Sequence, residues 1–257
     1  MKFRVTTICG LTALTLSNVA QAQAPYSWTG FYVGGHFGYG FGQPTNPAIG
    51  FSDPNGIGVG TFLEGGGFNV SSFTSRGVLG GLQAGYNYQV TPWVLGVEAD
   101  WSFTDINGSR SATSSPDPAV FGGTYSVSTV KTNVDWLATV RARAGISADN
   151  WLFFGTGGLA IGRVTSQFDS YVNIPAIPYN FSFNGSNSVT NVGWTAGVGT
   201  EYAFGRWSAK LEYLYYDLGA NRVTSPTQDT LFATGAVLTL DQRSSGHIVR
   251  AGINFHF

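Results

Sequence analysis

Apolar and polar residues alternate along much of the chain. From Trp93 to Phe103 every second residue is apolar, and the positions between them include Glu98 and Asp100. The same alternation recurs in three later stretches, 135–146, 192–204 and 207–215. Because successive side chains of a strand point to opposite faces, this period predicts strands with one apolar and one mostly polar face.

The predicted strands form hairpins that are marked by tryptophan. Trp93, Trp151 and Trp207 each follow a turn of two to four residues, and Trp28 opens the first unit in a similar way. The segments within the hairpins are long and rich in Gly, Ser, Thr, Asn and Pro. We place eight strands near 30–42, 77–90, 93–105, 131–148, 151–165, 189–204, 207–218 and 246–257, and the long loops at 43–76, 106–130, 166–188 and 219–245.

This arrangement predicts an all-β fold, an eight-stranded antiparallel transmembrane β-barrel with short periplasmic turns and long extracellular loops. The residues Trp28, Trp93, Trp151 and Trp207 would then form a girdle at the inner membrane interface, which amphipathic indole rings prefer. Core packing explains any one of these tryptophans equally well. Their recurrence at the same place in each hairpin favours the girdle.

The last strand ends at the chain terminus in a distinctive way. Its residues resemble the C-terminal assembly signal of bacterial outer-membrane barrels. The spacing of that signal is matched by Arg250, Gly252, Phe255 and Phe257. Apolar residues at 249, 251, 253, 255 and 257 face away from a mostly polar set, as lipid-facing strands require. An ordinary amphipathic strand of a soluble sandwich would show the same alternation. The resemblance implies that the barrel-assembly machinery recognises this strand.

The N-terminus predicts secretion. Lys2 and Arg4 precede an apolar run and then small residues, which is the pattern of a signal peptide over 1–22 that is cut after Ala22. A rival cut after Ala24 would leave proline first. The mature domain, 23–257, would contain no cysteine, since Cys9 is removed, so it would form no disulfide and no thiolate metal site.

Composition narrows the classes of function. Charged residues make up only 11% of the chain and the net charge is −1, so the chain lacks the basic footprint of a nucleic-acid-binding protein. No mature segment approaches the ~18 consecutive apolar residues of a membrane helix. A membrane protein without such helices is expected to be a closed barrel, because every backbone polar group must be satisfied internally.

The polar faces of the predicted strands carry balanced charge. Four acidic and four basic residues face inward, and eight-stranded barrels are just wide enough to be filled by side chains. Buried charges of this kind must pair. We therefore expect a salt-bridged plug, although an ion pathway or proton relay would use the same residues. The predicted network consists of Glu98, Asp100, Glu201 and Glu212 with Arg141, Arg143, Lys210 and Arg250.

The remaining candidate chemistry is weak. Of the three histidines, His36 and His256 should face inward, and His247, near a loop mouth, would be the best axial ligand for hemin. Ser245 shares a strand face with His247, but no acidic residue stands near to orient a catalytic pair. We expect structural or solvated histidines, no metal, no cofactor and no enzymatic activity.

Several segments are rich in glycine and aromatic residues: Trp28–Gly35, Gly80–Tyr88, Leu95–Asp100, Gly155–Ala160 and the C-terminal strand. Together they resemble the alphaproteobacterial outer-membrane immunogenic-protein family, which consists of small, opacity-protein-like surface barrels. The resemblance implies an eight-stranded barrel on the cell surface, and members have been called porins, antigens and hemin binders. No catalytic site comes with the family.

These observations together predict an integral protein of the Gram-negative outer membrane with a structural, antigenic, envelope-integrity role. Its expected partners are the lipid bilayer, lipopolysaccharide and the assembly machinery, with a possible host or environmental ligand at the loops. A small-solute pore or a hemin-binding surface protein is the first alternative. A lipid-modifying enzyme of the outer membrane is the second.

Overall fold

The computed structural model describes residues 26–43, 48–52, 70–115, 122–173, 175, 180–226 and 237–257. The predicted signal peptide lies outside these residues. Within them no helix is long and apolar enough to cross a membrane. The strands in chain order are β1 Gly30–Gly42, β2 Ala48–Ser52, β3 Arg76–Val90, β4 Trp93–Ser114, β5 Tyr125–Ala148, β6 Trp151–Asn173, β7 Asn180–Phe204, β8 Trp207–Pro226 and β9 Val237–His256.

Eight of these strands close into a ring, which confirms the predicted barrel. Strand β1 pairs antiparallel with β3 on one side and with β9 on the other, and β3 to β9 pair consecutively. The additional strand, β2, lies outside the ring, in the predicted loop 43–76, and was not predicted from the sequence. It pairs with residues 237–241 of β9, beyond the point where β1 ends, and so satisfies an edge that would otherwise be open.

The short turns lie where the alternation predicted them. Two residues connect β3 to β4, β5 to β6 and β7 to β8, and Trp93, Trp151 and Trp207 each begin the following strand. Asp149 and Gly205 adopt positive φ angles of 52° and 67°, which tight two-residue turns require. The chain end is at this same side, since the Phe257 amide donates to the Phe31 carbonyl.

The strands are much longer than predicted on the other side. Residues 106–114, 125–130, 166–173, 180–188, 219–226 and 237–245, assigned to loops from the sequence, are strand in the structure. Their pattern was misleading because it is inverted: the outward residues there are polar, while inward residues such as Val130, Phe168 and Phe183 are apolar and buried. Because these segments are rich in Ser, Thr and Asn, their buried apolar residues were not recognised from the sequence.

The outer surface carries an apolar band of limited height. In β4 the exposed apolar residues run from Trp93 to Phe103 and give way to Asp105 and Asn107. Ten residue steps at ~3.3 Å, tilted by about 40°, correspond to a height of ~25 Å, the thickness expected of the lipid-facing band of an outer-membrane barrel. In β6, Arg163 to Asn173 continue for about the same height above the band, so the wall projects beyond the bilayer.

The interior is built in layers. An apolar layer of Trp28, Val94, Leu152, Phe154 and Ala203 lies nearest the short turns. Along β8, the charged residues Lys210 and Glu212 come next, followed by Leu214 and Tyr216 of a second apolar layer. A third apolar layer, which includes Val223, Leu238 and Leu240, fills the projecting part. The charges therefore lie between two apolar layers.

Candidate functional site

The eight predicted lumen charges meet in one buried cluster. Their side chains are at most 3% exposed. They reach this place because β4, β5, β7, β8 and β9 each present alternate residues inward at the same depth of the barrel. In the ladder, Glu98 lies opposite Arg141, Glu201 opposite Lys210, and Glu212 opposite Arg250.

Arg141 is the centre of the cluster. Its two terminal nitrogens lie 2.5 Å from Glu98, 2.9 Å from Asp100 and 2.8 Å from Glu212. Its Nε donates to the hydroxyl of Thr139 at 2.9 Å, so every side of the guanidinium contacts an acceptor. A buried arginine is tolerated where its charge is paired and its nitrogens are hydrogen-bonded in this way.

Arg250 and Lys210 connect the same carboxylates from the other wall. Arg250 lies 2.6 Å from Glu212 and 3.0 Å from Asp100. Lys210 Nζ lies 2.9 Å from Glu98. Each of these three carboxylates therefore contacts more than one cation, and the network does not divide into isolated pairs.

Arg143 forms the part of the cluster nearest the short turns. It lies 2.8 Å from Glu201 and donates to the Tyr32 hydroxyl at 2.9 Å. Its guanidinium stacks over the Phe154 ring at 4.1 Å. The Tyr32 hydroxyl in turn donates to Glu98 at 2.7 Å, which connects this part to the centre.

Neutral side chains that were not predicted from the sequence complete the network. Thr139 donates to Asp100, and Lys210 donates to the amide oxygen of Gln83. Ser208 and Asn254 both donate to Glu201. All of these residues occupy inward positions of the strands. Their polar side chains at inward positions were the signal in the sequence that could have identified them.

Two inward glycines lie close to the backbone of the neighbouring strands beside charged residues. A Cβ at Gly158 would lie 2.1 Å from the Val140 carbonyl oxygen and 2.7 Å from the Cα of Arg141. At Gly38 it would lie 2.7 Å from the Cβ of Arg250. At these two positions a larger residue would clash with the strand that carries Arg141 or Arg250.

The inward histidines are held inside the polar network. His36 lies 2.8 Å from Ser102, and His256 lies 2.9 Å from Ser208. The Glu201 carboxylate approaches the same nitrogen of His256 that Ser208 contacts, at 3.6 Å. A catalytic triad needs the carboxylate on the opposite ring nitrogen and a nucleophile open to substrate, whereas Ser208 is fully buried.

His247 is on the outer wall and not at a loop mouth. Its Nδ1 lies 2.6 Å from the Tyr213 hydroxyl, and its ring stacks on Phe41. Its Nε2 lies 3.4 Å from the Gln43 amide. Since both ring nitrogens already lie near protein partners, this geometry argues against the hemin-ligand alternative.

Three of the four predicted girdle tryptophans face outward. Trp93, Trp151 and Trp207 are exposed at the end with the short turns, and the last two pack against Tyr202 and Phe255. The prediction for Trp28 is wrong. It precedes β1 and turns into the barrel mouth, where its ring is fully buried in the apolar layer nearest the short turns.

The C-terminal signal residues divide between the two faces. Phe257 is exposed on the outer wall and Phe255 lies beside it, whereas Arg250 is buried in the charge cluster. Gly252 faces inward, where a Cβ would lie 3.3 Å from the Gln83 amide and 3.4 Å from the Cβ of His36. Within the described part of the chain, no group of three or more His, Cys, Asp or Glu side chains could hold a metal ion.

Comparison with known proteins identifies the relatives of this chain. A family model described as the outer membrane protein beta-barrel domain matches residues 9–241. The chain is 35% identical over 235 residues to the 31 kDa outer-membrane immunogenic protein of Brucella melitensis biotype 1, covering 90% of this chain and 85% of that protein.

Two further matches are more distant. The chain is 29% identical to a 22 kDa outer membrane protein of Rhizobium leguminosarum bv. viciae, covering 74% of this chain and 64% of that protein. Among solved structures, the outer membrane protein OprG from Pseudomonas aeruginosa is 12% identical with a TM-score of 0.43, over 89% of this chain and 97% of that one.

Proposed function

We propose a function for this chain on the basis of its family, since it belongs to the outer membrane protein beta-barrel domain family. In this proposal it is a sealed barrel whose wall displays a surface outside the outer membrane. The observation that carries this proposal is the charge cluster enclosed between two apolar layers. Its main role is structural and antigenic, with no conducting lumen.

The seal depends on both the charges and the layers. Water or an ion crossing the barrel would pass the ring of Trp28, the salt-bridged cluster and the second apolar layer in turn. Opening the cluster would leave buried charges unpaired, which costs several kcal/mol. Barrels of eight strands have interiors that side chains can fill, unlike the aqueous channels of larger porins.

Conductance in a planar bilayer tests the seal directly. The refolded mature chain should give no steady single-channel steps, while its heat-modifiable migration on gels shows that the barrel is folded. Reproducible steps from the folded chain would contradict the proposal and would make the lumen charges selectivity residues of a pore.

Surface display is supported by the projecting part of the wall. The relative in Brucella is named as an immunogenic outer-membrane protein, and a wall that projects by ~25 Å gives antibodies or environmental ligands a large polar surface. We propose the same antigenic role for this chain.

Lysine labelling tests the orientation. Residues 23–257, which we propose as the mature chain, contain two lysines: Lys131, which is exposed on the projecting wall, and Lys210, which is buried in the cluster. A membrane-impermeant amine reagent added to intact cells should modify Lys131 and not Lys210. The variant Lys131→Arg should abolish side-chain labelling. Labelling of Lys131 only after the outer membrane is broken would reverse the orientation.

The absence of enzymatic activity is part of the proposal. The inward Ser208 and His256 are enclosed and lack triad geometry, and the outer His247 is stacked among aromatic rings. Turnover of labelled phospholipid or lipopolysaccharide by the refolded chain, lost in His247→Ala, would support the lipid-modifying alternative instead.

A further inference from the structure

A group of aromatic rings lies on the outer wall at the upper edge of the apolar band. Phe41, Tyr213, Tyr215 and His247 form this aromatic platform. His247 stacks on Phe41 at 5.4 Å and on Tyr213 at 5.8 Å, with interplanar angles of 24° in both cases. The Tyr215 ring lies 5.3 Å from the same histidine.

The platform marks the level at which the surface changes from apolar to polar. Below His247, the outward residues of β9 are Val249, Ala251 and Ile253. Above it they are Ser245 and Arg243. A group bound here would contact hydrocarbon on one side and water on the other, as the head group of an outer-leaflet lipid does.

Two arginines flank the platform from different directions. Arg76 on β3 lies beside Phe41 in the ladder, and Phe41 lies beside His247, so the two outer residues are about 10 Å apart. Arg243 lies four residues above His247 on β9, about 13 Å away along the strand. Both distances allow long arginine side chains to reach toward the same bound group.

Arg243 is positioned by a buried partner. Its Nη2 lies 2.5 Å and its Nε 3.1 Å from Oδ2 of Asp217. The Asp217 side chain is only 4% exposed, while that of Arg243 is 68% exposed. The carboxylate therefore lies behind the guanidinium and directs it outward, although it also offsets part of its charge.

We propose that the platform, with Arg76 and Arg243, binds a phosphorylated glycolipid of the outer leaflet. The inference rests on the proposed orientation of the barrel. Guanidinium groups bind phosphate oxygens through charge-assisted hydrogen bonds, and an aromatic surface packs against the apolar face of a sugar ring. The acyl chains would lie along the apolar residues below. A phospholipid head group lacks the sugar that the platform would contact.

Lipid binding to the refolded barrel tests the proposal. The mature chain in phosphatidylcholine nanodiscs is titrated with bisphosphorylated lipid A, with dephosphorylated lipid A and with phosphatidylglycerol, and the retained lipid is counted by native mass spectrometry. The bisphosphorylated lipid should bind most tightly. Arg76→Gln should weaken its binding about tenfold, and Arg76→Gln with Arg243→Gln about a hundredfold.

Two control variants separate the effects. Arg206→Gln removes an exposed arginine from a short turn at the opposite end and should leave lipid A binding unchanged. Phe41→Ala should weaken binding of both forms of lipid A and leave phosphatidylglycerol unaffected. Because Arg243 is bonded to Asp217, Arg76→Gln alone tests the site if the double variant fails to fold.

The outcomes distinguish this site from the orientation on which it depends. Equal binding of lipid A by the parent and by folded Arg76→Gln, or equal binding of lipid A and phosphatidylglycerol, overturns the glycolipid site. If intact-cell labelling instead places Lys131 on the periplasmic side, the proposed orientation is wrong, whatever the lipid titration shows.

Discussion

Replacing Arg141 with alanine is the most direct perturbation of the barrel interior. The substitution removes a guanidinium that contacts Glu98, Asp100 and Glu212, and its side chain is 0% exposed. The three carboxylates remain buried with one positive charge fewer around them. Water cannot easily replace the lost partner, because apolar layers lie on both sides of the cluster.

The size of the effect follows from the remaining contacts. Breaking a buried ion pair by removing one partner costs about 3–5 kcal/mol. After Arg141→Ala, Glu98 retains Lys210, and both Asp100 and Glu212 retain Arg250. Because each carboxylate keeps a cation, we expect the lower end, a decrease of about 3 kcal/mol in the free energy of unfolding.

The assay is reversible denaturant unfolding of the barrel in lipid vesicles, followed by heat-modifiable gel migration. Arg141→Ala combined with Glu212→Gln restores the charge balance and should recover part of the loss, since residues of one network couple by about 0.5–3 kcal/mol. The control Arg222→Ala breaks the exposed pair with Asp241 and should cause no resolvable change. A loss below about 1 kcal/mol in Arg141→Ala would refute the network as a stabilising plug.

Three further predictions concern other parts of the barrel. Gly158→Val should prevent or strongly slow refolding, because even its Cβ would meet the backbone around Arg141; folding at the parental rate by gel migration would contradict this close packing. Trp28→Ala should lower the free energy of unfolding by about 3–5 kcal/mol because it leaves a cavity. Trp93→Ala, at an outward position, should lower it less, and equal losses in denaturant unfolding would argue against the buried position of Trp28. Phe257→Ala should reduce the folded protein in cell outer membranes and leave refolding of the purified chain nearly unchanged, if the assembly machinery reads the C-terminal strand; unchanged levels in cells would count against that role.

Much of the barrel follows from local alternation. The period of two from Trp93 to Phe103 marks a strand, and its polar positions Glu98 and Asp100 identify the interior. Turn residues and the following tryptophans locate the inner ends of the strands. These features were predictable because each depends on residues close together in the chain.

The prediction failed for the projecting wall and for Trp28. The projecting wall has polar residues outside and apolar residues inside, so the sequence around Val130, Phe168 and Phe183 has the polar composition of a loop although these three residues are buried. Trp28 was assigned to the girdle because it begins a unit like the other tryptophans. It lies two residues before β1, outside the alternation of that strand, and the open mouth of the barrel accommodates its ring.

The sequence by itself determined the strands of the apolar band, the inward charges and their balance, since side-chain direction is a local property of a strand. Only the tertiary structure decided which charges meet. Closing the ring between β1 and β9 brings Tyr32 and Gln83 into the same cluster as Arg250, and the ladder registers place Arg141 among three carboxylates. Register and closure depend on pairings between distant segments, and a shift of one residue would reverse the face of every side chain.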